Sequence, residues 1–303
     1  MSHMAPDGDA IGSLLSLGHV MRALGKQVRM ACQDPLPQRF DYLPGFHDVV
    51  RGAPAGPFDL LVSLDCSDTE RMGTVFTALD DLPPILNIDH HVTNLQFGAV
   101  NLVDVEAVST THVLYHLINH IGVRIDPGIA ACLLTGLVTD TRGFRTFNVT
   151  PEVLLIAVEL MRAGASLAMI TQNGLDRRSP ETLRLWGVGF ARLKVGDGLV
   201  WSSIPLAAQQ HPNGDDSTSG LTNTLIGVEG ALMAALFVER KDGRVEVGLR
   251  AIPGFDVAQI ALSLGGGGHT LASGCLVPGP FESAQARVVA LLKEELARQR
   301  EEP

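Results

Sequence analysis

Acids and histidines stand at four separated places along this 303-residue chain: His3, Asp7 and Asp9 in HMAPDGDAIGS, Asp65 in VSLDCSD, Asp89, His90 and His91 in NIDHHVTN, and Asp140 in GLVTDTRG. Each Asp from 65 onward closes an apolar run. The carboxyl ends of buried parallel strands open onto one crevice, so acids far apart in sequence converge there. That much carboxylate in one crevice repels itself unless cations neutralise it. An Asp-rich set with a minority of histidines and no thiolate suits Mn²⁺ better than structural zinc, with Mg²⁺ or Co²⁺ as substitutes. The set is large enough for two ions, and paired ions about 3.5–4 Å apart activate a bridging water and stabilise charge on a phosphoryl oxygen. The chemistry expected is phosphoester hydrolysis without a covalent nucleophile.

Taken singly, each piece has a plainer reading. In His3-x-x-x-Asp7-Gly8-Asp9, Gly8 lets a tight loop turn both acids toward one point, and the helix that follows favours negative charge at its start. A lone PDGD is more often a solvated turn. Asp65 and Asp89 end apolar strands, where an acid is costly without partners, yet strand-end Asp also serves as a helix cap. The tandem His90-His91 sharpens the metal reading, because backbone alternation sends adjacent side chains in different directions, one to a metal and one to substrate. At Asp140 the plain alternative is helix-terminal loop chemistry.

The C-terminal half carries a second constellation, Arg250 at the end of EVGLR and the run Gly265-Gly266-Gly267-Gly268-His269. Consecutive glycines expose backbone N–H groups and admit a phosphate or nucleotide, while an Arg forks two bonds to an anion. Out of context the run reads as a flexible connector and Arg250 as surface charge; beside a metal site they read as substrate capture. His112, His116 and His120, spaced by four, read as solvent-facing or hydrogen-bonded helix residues, since no carboxylate accompanies them. Trp186 and Trp201 read as packing residues, and Gly136 as a place for close helix packing.

The elements that must position these residues alternate through the first half. Helices are expected over IGSLLSLGHVMRALG, over STTHVLYHLINHIG with Ser109 or Thr110 as N-cap, and over PGIAACLLTGLVTD with Pro127 in its first turn; QVRMAC, FDLLVSLD, PILNID and FGAVNLVD read as strands. The fold class expected is α/β, a mostly parallel sheet with helices on both faces. From Thr150 the pattern turns helical, through TPEVLLIAVELMRAG, SLAMITQNGL and PETLRLWGVGFARLKV, and from Leu199 strands return, with a hairpin at Lys241-Asp242-Gly243. Residues 209–220 read as a loop, DVAQIALSL and FESAQARVVALLKEELARQREEP as helices, and LASGCLVP as a strand. The division expected is a metal-binding domain over 1–150, a helical connector over 151–197, and a smaller α/β substrate-binding domain with a mixed sheet over 198–303, the site lying in the cleft between domains.

Composition bounds the partners. An apolar fraction of 46% with 18% charged residues describes a compact soluble protein, and a formal charge of −10 argues against holding long nucleic acid on a broad basic surface. A short RNA or small nucleotide remains, received by metals and a few local cations. The four cysteines form no CxxC pair, no apolar run reaches the ~20 residues of a membrane helix, and no leader pattern opens the chain, so a reduced, cytoplasmic setting without membrane contact is expected.

In order, these motifs resemble the DHH phosphoesterase superfamily: HxxxDGD, a strand-end Asp, the Asp-His-His at 89–91, TDTRGF, then GGGGH followed by ASG as in the DHH-associated C-terminal domain. Within it the chain looks most like the nanoRNase/pAp-phosphatase branch, which degrades very short RNA and dephosphorylates 3′-phosphoadenosine 5′-phosphate (pAp). The resemblance implies that His3 and Asp7 bind one Mn²⁺, that Asp9, His90 and Asp140 bind another, and that Asp65 bridges them. It implies that His91 contacts the scissile phosphate, that Asp89 orients a neighbouring histidine, and that Arg250 with Gly266, Gly267, Gly268 and His269 holds the far phosphate or terminal nucleotide. Members carry an apolar strand before the first motif, whereas only Met1 and Ser2 precede His3 here; Ser2-His3-Met4 is also the tripeptide a cleaved purification tag leaves. A manganese-dependent inorganic pyrophosphatase and a catalytically silent nucleotide-binding module are the alternatives weighed; GGGGH favours the nucleotide branch over the first.

Overall fold

The protein is described by a computed structural model over residues 1–79, 81–209, 218 and 220–301. It divides into two compact units, Met1–Arg177 and Arg178–Pro303. The first runs α1 (Gly8–Ala23), β1 (Ala31–Cys32), β2 (Val50–Arg51), β3 (Leu61–Leu64), α2 (Thr74–Thr77), β4 (Ile85–Asp89), β5 (Val100–Val103), α3 (Thr110–His120), α4 (Pro127–Asp140), α5 (Pro151–Arg162) and α6 (Leu167–Thr171).

Strands β3, β4 and β5 form a parallel sheet in that order, as the alternation of strands and helices predicts. Beyond β3, Ser2 makes a parallel bridge to Leu64, the Met1 ammonium donates to the Val62 carbonyl (2.8 Å), and Leu64 N–H donates to the Met1 carbonyl (2.9 Å). Met1 and Ser2 thus lie alongside β3 and deliver His3 to its end. The strand expected over QVRMAC shrinks to β1, because its parallel partner β2 is itself two residues long. Gly52 at φ +90 turns the chain away there, and Pro54 has no N–H to continue a ladder.

The helix caps are explicit. Ser109 accepts from His112 N–H at 3.1 Å and so is the N-cap of α3, and Asp126 caps α4 through Ile129 N–H at 2.8 Å, with Pro127 at the first position. α1 and α4 are apolar around most of their circumference because both are enclosed, and Ile11, Leu15, Leu133, Leu134 and Leu137 are fully buried. Glycine permits their close approach. A Cβ at Gly12 would lie 2.4 Å from the Cys132 carbonyl oxygen, and one at Gly8 the same distance from the Thr139 hydroxyl. Asp7 and Asp9 are thereby pressed against the C-terminal end of α4, where Asp140 stands.

The helical stretch expected as a connector is shared out. α5 and α6 pack on the first unit's core through Val153, Ile156, Leu160 and Ile170. The second unit opens with α7 (Pro180–Ala191), followed by β6 (Lys194–Gly196), β7 (Leu199–Ile204), α8 (Leu221–Leu225), β8 (Met233–Glu239), β9 (Arg244–Ala251), α9 (Ala258–Ser263), β10 (Gly267–His269), β11 (Ala272–Pro278) and α10 (Phe281–Glu301). Its sheet order is β10-β11-β9-β8-β7-β6, mixed as expected, with β7 and β8 parallel and the other pairs antiparallel. The β8–β9 hairpin turns at Lys241-Asp242-Gly243, Asp242 accepting from Arg244 N–H at 3.0 Å.

Two strands depart from the sequence reading. The helix expected through Val195 stops at Ala191, and β6 pairs with β7 across Asp197-Gly198, both at positive φ, an Asp-Gly hairpin turn. The glycine run, expected as a loop, supplies β10. The loop expected at 209–220 lies mostly outside the described residues. All four cysteines are buried and unbridged, and no single helix among the described residues is long and apolar enough to cross a membrane.

Gly12→Ala should force α1 away from the α4 backbone and destabilise the protein by about 1–3 kcal/mol, the usual cost of overpacking. Urea unfolding monitored by circular dichroism measures the shift in midpoint; an unchanged midpoint would mean that the helices are not held at this contact.

Candidate metal centre

All eight residues of the N-terminal constellation come together in the first unit. His3 Nε2 lies 3.4 Å from Asp65 Oδ2 and 3.9 Å from Asp7 Oδ1. On the other side of Asp65, His90 Nε2 lies 3.7 Å from its Oδ1, 3.9 Å from Asp9 Oδ2 and 3.4 Å from Asp140 Oδ2. Two ligand groups, His3/Asp7/Asp65 and Asp9/Asp65/His90, therefore share Asp65, one carboxylate oxygen facing each. Asp65 reaches this position from the end of β3 at φ +59, a conformation that costs a non-glycine residue energy and is best tolerated by Asp and Asn.

The tautomers are set by what the far ring nitrogens touch. His3 Nδ1 lies 2.7 Å from the Met4 carbonyl and His90 Nδ1 3.2 Å from the Ala107 carbonyl. A carbonyl only accepts, so each Nδ1 carries the proton and donates, and in the neutral ring Nε2 turns a lone pair toward carboxylates. Lone pair against lone pair is repulsive without a proton or cation between them. The 3.4–3.9 Å separations are long for hydrogen bonds and suit donor atoms that each reach one ion at about 2.0–2.2 Å. Orienting a metal-binding imidazole through its other nitrogen is how proteins tune such ligands. The residues fit a pair of divalent cations, and the Asp/His donor set with no thiolate fits Mn²⁺.

Electrostatics divides the acids. For Asp65 burial favours the neutral form, but contact with His3 and the charges of His91, His3 and His90 outweigh it and hold the carboxyl well below its ordinary range. Asp9 goes the other way: burial, with Asp65, Asp140 and Asp7 adding repulsion, raises it well above, against the opposing bond from Thr111 N–H. Asp140 is pushed up to about 6, chiefly by burial and then by Asp7 and Asp65, with the His90 charge opposing. Asp7 has two duties, since its Oδ1 also caps α1 through Asp9 and Ala10 N–H at 3.0 and 3.1 Å.

Asp89 is fully buried, and with Asp65 and His91 it forms a further group of ligand atoms within reach of one another. Its Oδ1 accepts from His91 Nδ1 (2.8 Å) and His90 N–H (2.8 Å), and its Oδ2 from Asn94 Nδ2 (2.6 Å). The histidine it orients is thus His91, whose pKa burial would lower but the Asp89 bond, with the charges of Asp65, Asp89 and Asp140, raises to about 9. Asn94 is in turn held by Asn87 Nδ2 on its Oδ1 at 2.9 Å, while its own Nδ2 reaches the Cys66 carbonyl at 3.0 Å. Sequence reading missed Asn94, three residues past His91. It also took Ser109 and Thr110 only as candidate caps, although the amides of Thr110 and Thr111 and the Thr111 hydroxyl donate to Asp9. Gly136 matters here as well as for packing, since a Cβ on it would stand 2.3 Å from Asp9 Oδ1. Among the described residues the α3 histidines hold no carboxylates: His112 Nε2 meets His116 Nε2 at 3.1 Å, and His120 sits exposed in the last turn.

In the second unit Arg250 and His269 are both register partners of Ala272, so they occupy one row across β9, β11 and β10 and share a face. Arg250 Nε donates to Asn223 Oδ1 (2.7 Å) and Nη1 to the Leu249 carbonyl (2.8 Å). The glycines around His269 serve close contact as well as backbone freedom, Gly265 and Gly268 lying at φ +79 and +135. A Cβ at Gly266 would be 2.1 Å from the Gly274 carbonyl oxygen, and one at Gly268 would be 2.6 Å from that of Ala272. Gly267 lies between them at the start of β10.

A parallel sheet whose strand ends gather acids and histidines, joined to a mixed-sheet unit bearing an Arg and a glycine strand, defines a class of metal-dependent phosphoesterase fold. The chain belongs to the DHH family: residues 1–137 match its N-terminal domain and residues 205–298 match the DHHA1 domain. A protein of Thermus thermophilus, described as a bifunctional oligoribonuclease and PAP phosphatase NrnA, is 36% identical over 303 residues, covering 98% of this chain and 89% of the relative. A probable manganese-dependent inorganic pyrophosphatase of Streptococcus thermophilus is 27% identical, over 54% of this chain and 55% of its own. The crystal structure of an exopolyphosphatase-related protein from Bacteroides fragilis superposes with a TM-score of 0.84 at 25% identity, covering 98% of this chain and 90% of that one.

Because Asp140 gives up its proton only near pH 6, a cation must displace that proton in more acidic solution. Mn²⁺ affinity should therefore fall as pH drops below about 6, by up to about tenfold per pH unit for each proton displaced, and Asp140→Asn should flatten the dependence. Calorimetric titration of Mn²⁺ across this range checks both; affinity that rose on acidification would contradict the assignment.

Proposed function

We propose that this protein hydrolyses phosphoester bonds in short oligoribonucleotides and in pAp, using two divalent cations, Mn²⁺ foremost. The observation that carries the reading is the meeting of two ligand groups on the opposed oxygens of one buried carboxylate, Asp65. When bound, such a pair of cations supplies Lewis-acid chemistry, activating a water as nucleophile and neutralising charge on the phosphoryl group. His3 and Asp7 hold one ion, Asp9, His90 and Asp140 the other, and Asp65 both.

His91 receives the scissile phosphate. Asp89 holds its Nδ1 and favours the protonated ring, which offers a cationic N–H to a phosphoryl oxygen. Arg250, with its Nε fixed by Asn223, and Gly266 to His269 bind the remaining phosphate or the terminal nucleotide. Their single row on a sheet face presents a guanidinium and an imidazole together. The match of residues 205–298 to the DHHA1 domain, and an alignment with the Thermus relative over nearly the whole chain, favour the nucleotide branch over the pyrophosphatase, whose likeness stops at about half. The net charge of −10 supports short substrates over long nucleic acid.

With Mn²⁺ supplied, turnover is expected on pAp and on RNA dinucleotides, falling with RNA length, and not on pyrophosphate. Asp65→Asn should lower kcat by at least about 10²–10³-fold, the scale seen when one preorganised electrostatic group is lost. Turnover confined to pyrophosphate would overturn the branch, and none on any substrate would leave the silent nucleotide-binding module standing. Arg250→Ala should raise KM about tenfold or more with a smaller change in kcat, as loss of uniform binding does. A kcat loss with KM unchanged would put Arg250 outside substrate binding.

A further inference from the structure

The first turn of α3 has a complete hydrogen-bond account. Of its opening amides, His112 N–H is taken by the N-cap Ser109 hydroxyl at 3.1 Å. Thr110 N–H and Thr111 N–H, which have no partner within a helix, donate instead to Asp9, at 2.6 Å to Oδ2 and 3.0 Å to Oδ1. The Thr111 hydroxyl adds a second bond to Oδ1 at 2.9 Å. Thr110 goes one step further. Its hydroxyl donates to Asp65 Oδ1 at 2.8 Å, while its amide holds Asp9. Thr110, Thr111 and Asp9 are buried to 1% exposure or less.

We infer that Thr110 is a positioning residue that fixes the spacing between Asp65 and Asp9, and that it acts on one of the two cation sites only. The inference rests on the metal-centre reading above. The selectivity follows from which oxygen is bound. Asp65 Oδ1 faces His90, on the Asp9/His90/Asp140 side, whereas Oδ2 faces His3, on the Asp7 side. A hydroxyl that donates to Oδ1 occupies one of its lone pairs and steers the other, and it makes no bond to Oδ2. An acid held by directed donors presents its ligand oxygen without first being reoriented, which is how partners behind a ligand tune affinity. Thr110 enters this account through its side chain for Asp65 alone, since its bond to Asp9 comes from the backbone and survives substitution.

Thr110→Val keeps shape and β-branching and removes only the hydroxyl; Thr110→Ser keeps the hydroxyl. Mn²⁺ titration of the full chain, by calorimetry and by the electron spin resonance of the ion remaining in solution, should find two sites in the unmodified protein. In Thr110→Val one site should keep its affinity within about twofold and the other weaken by about 10–100-fold, the range for lost support behind a ligand. Thr110→Ser should restore the weakened site to within a few-fold. Equal affinities in Thr110→Val, a loss shared by both sites, or failure of Thr110→Ser to restore binding would each overturn the inference while leaving the metal centre intact. If Thr110→Val does not fold, the Ser variant decides the case through the same two-site comparison with Thr110→Ala. An unmodified protein that takes up no Mn²⁺ would overturn the metal-centre reading and this inference with it.

Discussion

Like-charge repulsion in a partly buried crevice is the constraint around which the first unit is built. Asp9 and Asp65 are 1% and 2% exposed, and Asp140 joins them from the end of α4. Ionised carboxylates so placed are costly unless something positive stands among them. The side chains meet this unevenly. Asp65 stands among His3, His90 and His91 and stays ionised, while Asp9 and Asp140, facing other acids, keep protons longer. The amides of the α3 N-terminus relieve Asp9 in part, as a helix start does for any nearby anion. Divalent ions held by these residues would replace protons and imidazolium charge with a charge better matched to the acids, which would couple cation affinity to pH.

Holding that many acids together demands rigid backbone, and the chain supplies it through short range and close packing. Asp7 and Asp9 flank the first residue of α1, so their separation is set by the helix itself. Gly8, Gly12 and Gly136 remove the side chains that would hold α1, α4 and the Asp9–Thr111 contact apart. Asp65 is swung into place by its own left-handed backbone at the end of β3, and Asp89 is held in register with Val103 at the end of β4. These positions trade local stability for geometry, as functional sites do. Asp89 shows the complementary device: as fully buried as any acid here, it avoids the repulsion by spending its oxygens on His91, Asn94 and a backbone amide.

Much of this was legible from residues alone. Ser109, Asp126 and Pro127 announced α3 and α4 because capping and proline chemistry are local, and the alternation of apolar runs announced the parallel sheet. The convergence of Asp65, Asp89, His90, His91 and Asp140 followed from strand and helix ends pointing one way. What escaped depended on partners. β1 is short because β2 is short, a property of residues 50–54 that QVRMAC does not contain. β6 was hidden by helix-forming residues running up to Val195, although Asp197-Gly198 carried the hairpin signal. Thr110, Thr111 and Asn94 escaped because a hydroxyl or an amide has too many ordinary roles for its type to reveal a partner a hundred residues away, as Thr111 is from Asp9.

The glycine run adopts a structure that its composition alone does not suggest. Four glycines in sequence suggest mobility, since glycine loses most entropy on ordering. Here that entropy is lost. Gly267, Gly268 and His269 pair with Gly274, Ser273 and Ala272, and the missing side chains at Gly266 and Gly268 let the backbone lie against β11 where any Cβ would collide. The Ser273 hydroxyl then fixes the His269 carbonyl at 2.6 Å. His269 is thus carried on an ordered edge strand, in the same row as an Arg250 anchored by Asn223. On the substrate-binding role proposed for this row, a phosphate or base would meet groups whose placement was settled during folding, so that little of its binding energy would be consumed in ordering the protein. For a substrate of only a few nucleotides, with few contacts to offer, that preorganisation would matter more than added basic surface.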